Sequence, residues 1–245
     1  MKEAVLRVFR GTADGGDLVE YRVPVAPGMV VLDALHHIQG YLAPDLAVRW
    51  NCKAGKCGSC SAEVNGTPRL MCMTRLSDLP LDKPVVVEPL KAFPPVKDLV
   101  TDVSWNYKVN KKIPAFKPKP NVEWKMDQRD VDRVQEFRKC IECFLCQDVC
   151  HVLRDHAKHD SFGGPRFFVR AAGLEMHPLD GVSRTALLKN ELGIGYCNIT
   201  KCCTEVCPEH IKITDNGIIP LKERVVDKYY DPVMWLWRKL TGAGK

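Results

Sequence analysis

Twelve cysteines, and the gaps between them, restrict what this chain can fold into more than any other feature. Cys52, Cys57, Cys60 and Cys72 lie in the first third of the chain, and the other eight lie between Cys140 and Cys207. Between the blocks runs VNKKIPAFKPKPNVEW, rich in Lys and Pro and without helical or strand periodicity. Such a stretch reads as an extended linker. Two domains are therefore expected, residues 1–106 and 127–245, joined by 107–126. The start, MKEAVLRVFRG, has no apolar signal core and reads directly as a strand. That places the thiols in a reducing compartment, where they bind metal more often than they pair.

The first block alternates like paired strands in AVLRVFR and VEYRVPV, joined at TADGGD. VLDALHHIQGYL then has helical spacing, with Val31, Ala34, Leu35 and Ile38 on one face. Asn65-Gly66 is a strong two-residue hairpin signal, and PVVVEPL reads as a closing buried strand. Strand, strand, helix and hairpin in this order fit a β-grasp domain. The segment Cys52-Lys-Ala-Gly-Lys-Cys57-Gly-Ser-Cys60 is C-x4-C-x2-C, and Cys72 follows twelve positions later. This is the plant-type spacing for a [2Fe–2S] cluster. A flat two-iron cluster needs two thiolates on each iron, so a loop can supply three and a neighbouring strand the fourth. A hairpin turn at Asn65-Gly66 pairs Cys60 with about Met71 and brings Cys72 to the loop. Four thiolates on zinc is the competing reading, but zinc sites come as two short C-x2–4-C pairs.

The second block should be mostly helical, from DVDRVQEFRKC, PRFFVRAAGLEM and RTALLKNEL, with Asp130 and Ser183 as N-caps. Its cysteines read Cys140-x2-Cys143-x2-Cys146-x3-Cys150 and Cys197-x5-Cys203-x3-Cys207. In two-cluster bacterial ferredoxins each run lends its fourth cysteine to the other cluster. Cys140, Cys143, Cys146 and Cys207 then hold a [4Fe–4S] cluster, while Cys150, Cys197 and Cys203 hold a second. Thr200 stands at the usual middle cysteine of the last run. Three ligands predict [3Fe–4S] there. Cys202 is left over and is expected as a small buried residue, since consecutive side chains point apart. The expected class is α+β: a plant-ferredoxin-type β-grasp domain followed by a helical, bacterial-ferredoxin-like domain.

A net charge of +6 is too small and dispersed to argue for nucleic acid. No apolar run reaches the ~18 residues of a membrane span. The segment DKYYDPVMWLWRKL sets Tyr229, Tyr230, Trp235 and Trp237 beside Arg238 and Lys239. That mixture suits a membrane interface or an anchor-subunit contact, and equally a helix packed on its own domain. His36 and His37 read as surface or capping residues, and the seven histidines give no haem signature.

CKAGKCGSC with Cys72, then CIECFLCQDVC, then CNITKCCTEVCP resemble, in that order, the iron–sulfur subunit of the succinate dehydrogenase and fumarate reductase family. The resemblance covers essentially the whole chain. It implies an electron-transfer subunit of a succinate:quinone oxidoreductase, or of a quinol:fumarate reductase. Its partners would be an FAD-containing flavoprotein, which carries the dicarboxylate chemistry, and membrane anchor subunits with or without haem. It would lie peripherally at the cytoplasmic face of the inner (plasma) membrane. No catalytic residue is expected on this chain. A freely diffusing multi-cluster ferredoxin is the other class of reading, and 245 residues is large for one. Thiol-driven relatives append further cysteine-rich domains, and this chain ends soon after Cys207. Members of the family often follow the cysteine matching Cys150 with Pro, Ser and tryptophans of a ubiquinone pocket; here the residues are His151-Val152-Leu153-Arg154-Asp155. Asn198 replaces a frequent His. The departures lean towards menaquinone or a relocated site, with His151 and Arg154 serving either quinone chemistry or local hydrogen bonds.

Overall fold

The computed structural model describes residues 3–241; residues 1, 2 and 242–245 and the side chain of Arg238 lie outside the described residues. Strands β1 (Glu3–Thr12) and β2 (Gly15–Pro24) form a long antiparallel hairpin whose turn is Ala13-Asp14. Helix α1 (Val31–Tyr41) starts where the Asp33 carboxylate accepts the Val30 N–H at 3.1 Å. It buries Val31, Leu32, Ala34, Leu35 and Ile38, the anticipated face plus Leu32. Val31, Leu32, Leu35 and Ile38 each contribute about 1.5–3 kcal/mol by leaving water, and Ala34 less.

Strands β3 (Ser61–Val64) and β4 (Thr67–Leu70) follow, and Asn65 and Gly66 between them both have positive φ, as a type I′ turn requires. Strand β5 (Val85–Glu88) completes a mixed sheet of order β2-β1-β5-β3-β4, in which β1 and β5 run parallel. A short hairpin, β6 (Pro95–Lys97) with β7 (Val100–Thr101), leads out of it.

Helix α2 (Ser104–Lys112) corrects one expectation: Val109 to Lys112 are helical, not extended. Asn106 and Val109 are buried, so tertiary contact overrides the weak local pattern. Residues 113–126 do run without helix or strand. They are pinned rather than loose. Arg184, fully buried, donates to the carbonyls of Pro114 and Ala115 at 3.0 Å each and to Asp180 at 2.8 Å.

The remaining helices are α3 (Gln128–Gln135), α4 (Leu145–Asp148), α5 (His151–Arg154), α6 (Pro165–Glu175), α7 (Thr185–Asn190), α8 (Cys202–Glu205), α9 (Ile219–Tyr229) and α10 (Pro232–Thr241). The cap of α3 is Asp127, with Asp130 inside its first turn, and that of α7 is Arg184 rather than Ser183. Both anticipated caps were polar residues near a start, which fixes a boundary only to within a few positions.

One hydrophobic core runs continuously from the sheet into the helices. Across it, Asp148 accepts the Ala92 N–H at 2.9 Å and Trp105 donates to the His159 carbonyl at 3.1 Å. Glu63 on β3, fully buried, meets Arg154 on α5 at 2.8 Å and Lys91 at 3.2 Å.

Candidate metal centres

The loop before β3 carries Lys53, Gly55 and Gly58 at φ of 53°, 67° and 69°. These left-handed residues curl the chain so that its amides face sulfur. The N–H groups of Ala54 and Lys56 lie 3.3 and 3.4 Å from Cys52 Sγ. Desolvation tends to raise the Cys57 thiol, but N–H donors from Cys52 and Ser59, with the Ser59 side chain, hold it below the ordinary thiol range. Met71 N–H donates to the Cys60 carbonyl at 3.0 Å, so the anticipated register holds and Cys72 lies against Cys60. Burial, then the Cys72 side chain, push the Cys60 thiol up. All four cysteines of the first motif thus meet at one end of the β3–β4 hairpin.

Cys140, Cys143, Cys146 and Cys207 line a single cavity with apolar walls that include Ile141, Phe144, Val169 and Ile213. Glu142 and Phe144, at φ of 57° and 62°, play the part of the glycines in the first loop. Amides of Glu142 and Leu145 point at the sulfurs of Cys140 and Cys143, and Ile211 N–H lies 3.4 Å from Cys207 Sγ. Burial pushes Cys143 up to about 12 and raises Cys140 and Cys146 as well. Arg166, only 5% exposed, shares this wall and ion-pairs with Glu142. No sequence signal marked it.

In the third group, Cys150 caps α5 and receives the amides of Val152 and Leu153; burial pushes it up to about 12. Cys203, likewise pushed up by burial, to about 11, feels Cys202 and Cys197, and Cys150 feels Cys202 and Cys203. Cys202 is not the core residue anticipated. It is half-buried, with Sγ 3.3 Å from Thr200 Oγ1, at the edge of the third group.

The three groups stand in a file. A Cβ on Gly58 would lie 2.6 Å from Cys143 Cα, so only glycine lets the first cysteine loop touch the second. Ser61 Oγ lies 2.8 Å from the carbonyls of both Gly58 and Cys143, and Lys56 meets Glu209 at 2.9 Å. Cys146 in turn feels Cys203 of the third group. Thiols around a shared cavity, with amides aimed at sulfur, suit an iron–sulfur cluster.

Comparison with known proteins agrees with this geometry. Residues 5–108 match the 2Fe-2S iron-sulfur cluster binding domain, and residues 136–211 match the 4Fe-4S dicluster domain. The fumarate reductase iron-sulfur subunit of Mycobacterium tuberculosis is 33% identical over 202 residues, 78% of this chain and 79% of that one. The chain belongs to the succinate dehydrogenase/fumarate reductase iron–sulfur subunit family. Among solved structures, a chain of the Mycobacterium smegmatis Sdh1 complex in the apo form is 61% identical, with a TM-score of 0.91 over 94% of this chain and 98% of that one. An uncharacterised iron–sulfur protein of Methanococcus maripaludis is 31% identical, but the chain spans only 42% of its length.

The remaining candidates resolve unevenly. Arg154 is engaged by Glu63, which favours a local role for it. The ring of His151 lies 6.2 Å from that of His156. His36 stacks edge-on against Trp50. No helix among the described residues is long and apolar enough to cross a membrane.

Proposed function

We propose that this chain is the electron-transfer subunit of a succinate:quinone oxidoreductase. In this reading Cys52, Cys57, Cys60 and Cys72 hold [2Fe–2S], Cys140, Cys143, Cys146 and Cys207 hold [4Fe–4S], and Cys150, Cys197 and Cys203 hold [3Fe–4S]. The observation that carries it is the file of three thiol groups, the first touching the second at Gly58 and the second reaching the third at Cys146 and Cys203. When bound, the clusters supply one-electron carriers between a flavin and a quinone. The chain's own residues keep water from the sulfurs by burial and stabilise thiolate with backbone N–H donors, both of which set potential. Since burial holds several of these thiols protonated, loading with iron must release protons.

The finer reading follows the family. The sheet is a β-grasp domain, residues 1–106, and 127–245 form the bacterial-ferredoxin-like domain, with 107–126 between. The partners are an FAD-containing flavoprotein and membrane anchor subunits, at the cytoplasmic face of the membrane. The absence of tryptophan in His151–Asp155 favours menaquinone. A quinol:fumarate reductase would use the same wiring, and several relatives are named fumarate reductase iron-sulfur subunits. The 61% identity to the Sdh1 chain favours succinate oxidation.

Metal analysis with EPR on the purified complex tests the assignment. The expected result is about nine irons per chain and a [3Fe–4S] signal in the oxidised state. Stoichiometric zinc, or clusters without an oxidised-state signal, would overturn it.

A further inference from the structure

Beside the four-cysteine cavity lies a larger one of about 700 Å³, between the 116–126 segment and helices α3 and α6. That volume is typical of sites for drug-sized molecules. Its polar side chains are nearly all donors. Arg138, Arg166 and Arg170 line it, and the Nε atoms of Arg166 and Arg170 are buried without a hydrogen-bond partner. His177 also lines it; its Nδ1 accepts the Leu179 N–H at 3.2 Å, which leaves the proton of the neutral ring on Nε2. Among the described residues no carboxylate lines the cavity. Of the carboxylates nearby, Asp180 is taken by Arg184, Glu142 ion-pairs with Arg166, and Asp130 on α3 is close enough to act on His177 without lining the cavity.

Donors without acceptors call for an anion, and guanidinium groups suit the two oxygens of a carboxylate. The apolar walls specify the rest of the ligand. Phe116 stands edge-on to His177 with centroids 5.0 Å apart and lies 6.4 Å from Trp124. Rings set at such angles accept another flat ring by edge and offset contacts. We propose that this cavity binds an aromatic carboxylate, its anion on Arg170 and Arg138 and its ring against the edges of Phe116 and Trp124. The assignment goes beyond the electron-transfer reading and needs none of the clusters. Arg166 and Cys140 line both this cavity and the four-cysteine one, so an occupant would stand directly against the wall of the second thiol group.

The test is calorimetric titration of the intact, cluster-loaded complex with 2-naphthoate, and with 2-naphthalenemethanol as a neutral match. Naphthoate should bind, with the alcohol roughly tenfold weaker or worse, because hydrogen bonds to a charged group are the stronger kind. Arg170→Gln should weaken naphthoate by a similar factor, and Leu174→Trp, which fills the cavity, should abolish binding. Iron content of each sample shows that the variants have folded and reports separately on the cluster assignment. A loaded wild-type complex that ignores naphthoate, as it would if a partner subunit covers the opening, overturns the proposal. So does equal affinity for acid and alcohol, or equal affinity across the wild type and both variants.

Discussion

Thr200 and Cys202 stand two residues apart at the third thiol group, and their side chains touch at 3.3 Å. The count of ligands at this group therefore depends on which position can reach a fourth corner. Spacing favours position 200, because in the usual run it is the middle cysteine that completes the cube. Thr200→Cys should convert [3Fe–4S] to [4Fe–4S]: iron rises from about nine to about ten per chain, and the oxidised-state EPR signal disappears. Cys202→Ser should leave the signal and the iron count unchanged. If that substitution instead removes or reshapes the signal, Cys202 is a ligand and the spacing argument fails. That the cysteines would gather into three groups was legible in sequence because cluster geometry imposes their gaps. Arg166 and Glu63 were not, since an isolated charge has no period, and only the fold shows what it is buried against.

At the scale of elements, α10 bears on an ambiguity that sequence left even. Val233, Trp235, Leu236, Trp237 and Leu240 are all more than half exposed, so the helix does not bury its apolar side chains on its own domain. Val233, Leu236, Trp237 and Leu240 fall within one arc at helical spacing, and Lys239 stands 4.6 Å from the Trp235 ring at its flank. An apolar stripe edged by aromatic and basic residues fits a membrane or anchor interface. The double change Leu236→Glu and Leu240→Glu should release the complex from the membrane fraction while its iron content stays at the wild-type level. Unchanged sedimentation would return the helix to a role within its own domain. Patterning read the β1–β2 hairpin, α1 and the Asn65-Gly66 turn correctly because each has a clean period or an obligatory turn residue. It missed the helix at Val109–Lys112, whose Lys-rich face carries almost no apolar signal and is ordered by buried Asn106 and Val109.

The whole molecule depends on how rigidly the sheet and the helices hold the file of thiols, and a buried charge cluster lies across their junction. Glu63 is fully enclosed, Arg154 and Lys91 ion-pair with it, and Asp148 lies close enough to sense it. Burial raises Asp148 above the ordinary carboxylate range; its bond from Ala92 N–H opposes this, and the neighbouring Glu63 adds to it. Two acids so close are tolerable because the cations offset Glu63 and because the raised Asp148 can hold a proton. Arg154 follows Cys150 by four residues and Glu63 follows Cys60 by three, so the cluster ties the loop of the first thiol group to that of the third. Arg154→Met would leave Glu63 with Lys91 alone. Removing one partner from a buried pair costs about 3–5 kcal/mol, and the low end applies because a cation stays. For a chain of this size that lowers the apparent melting temperature by roughly 6–12 °C. Adding Glu63→Gln to Arg154→Met should recover part of the loss, because the carboxylate that lost its partner is then neutral. A double variant as unstable as the sum of the two single changes would show that the junction is held by apolar packing, with the ion pairs incidental to it.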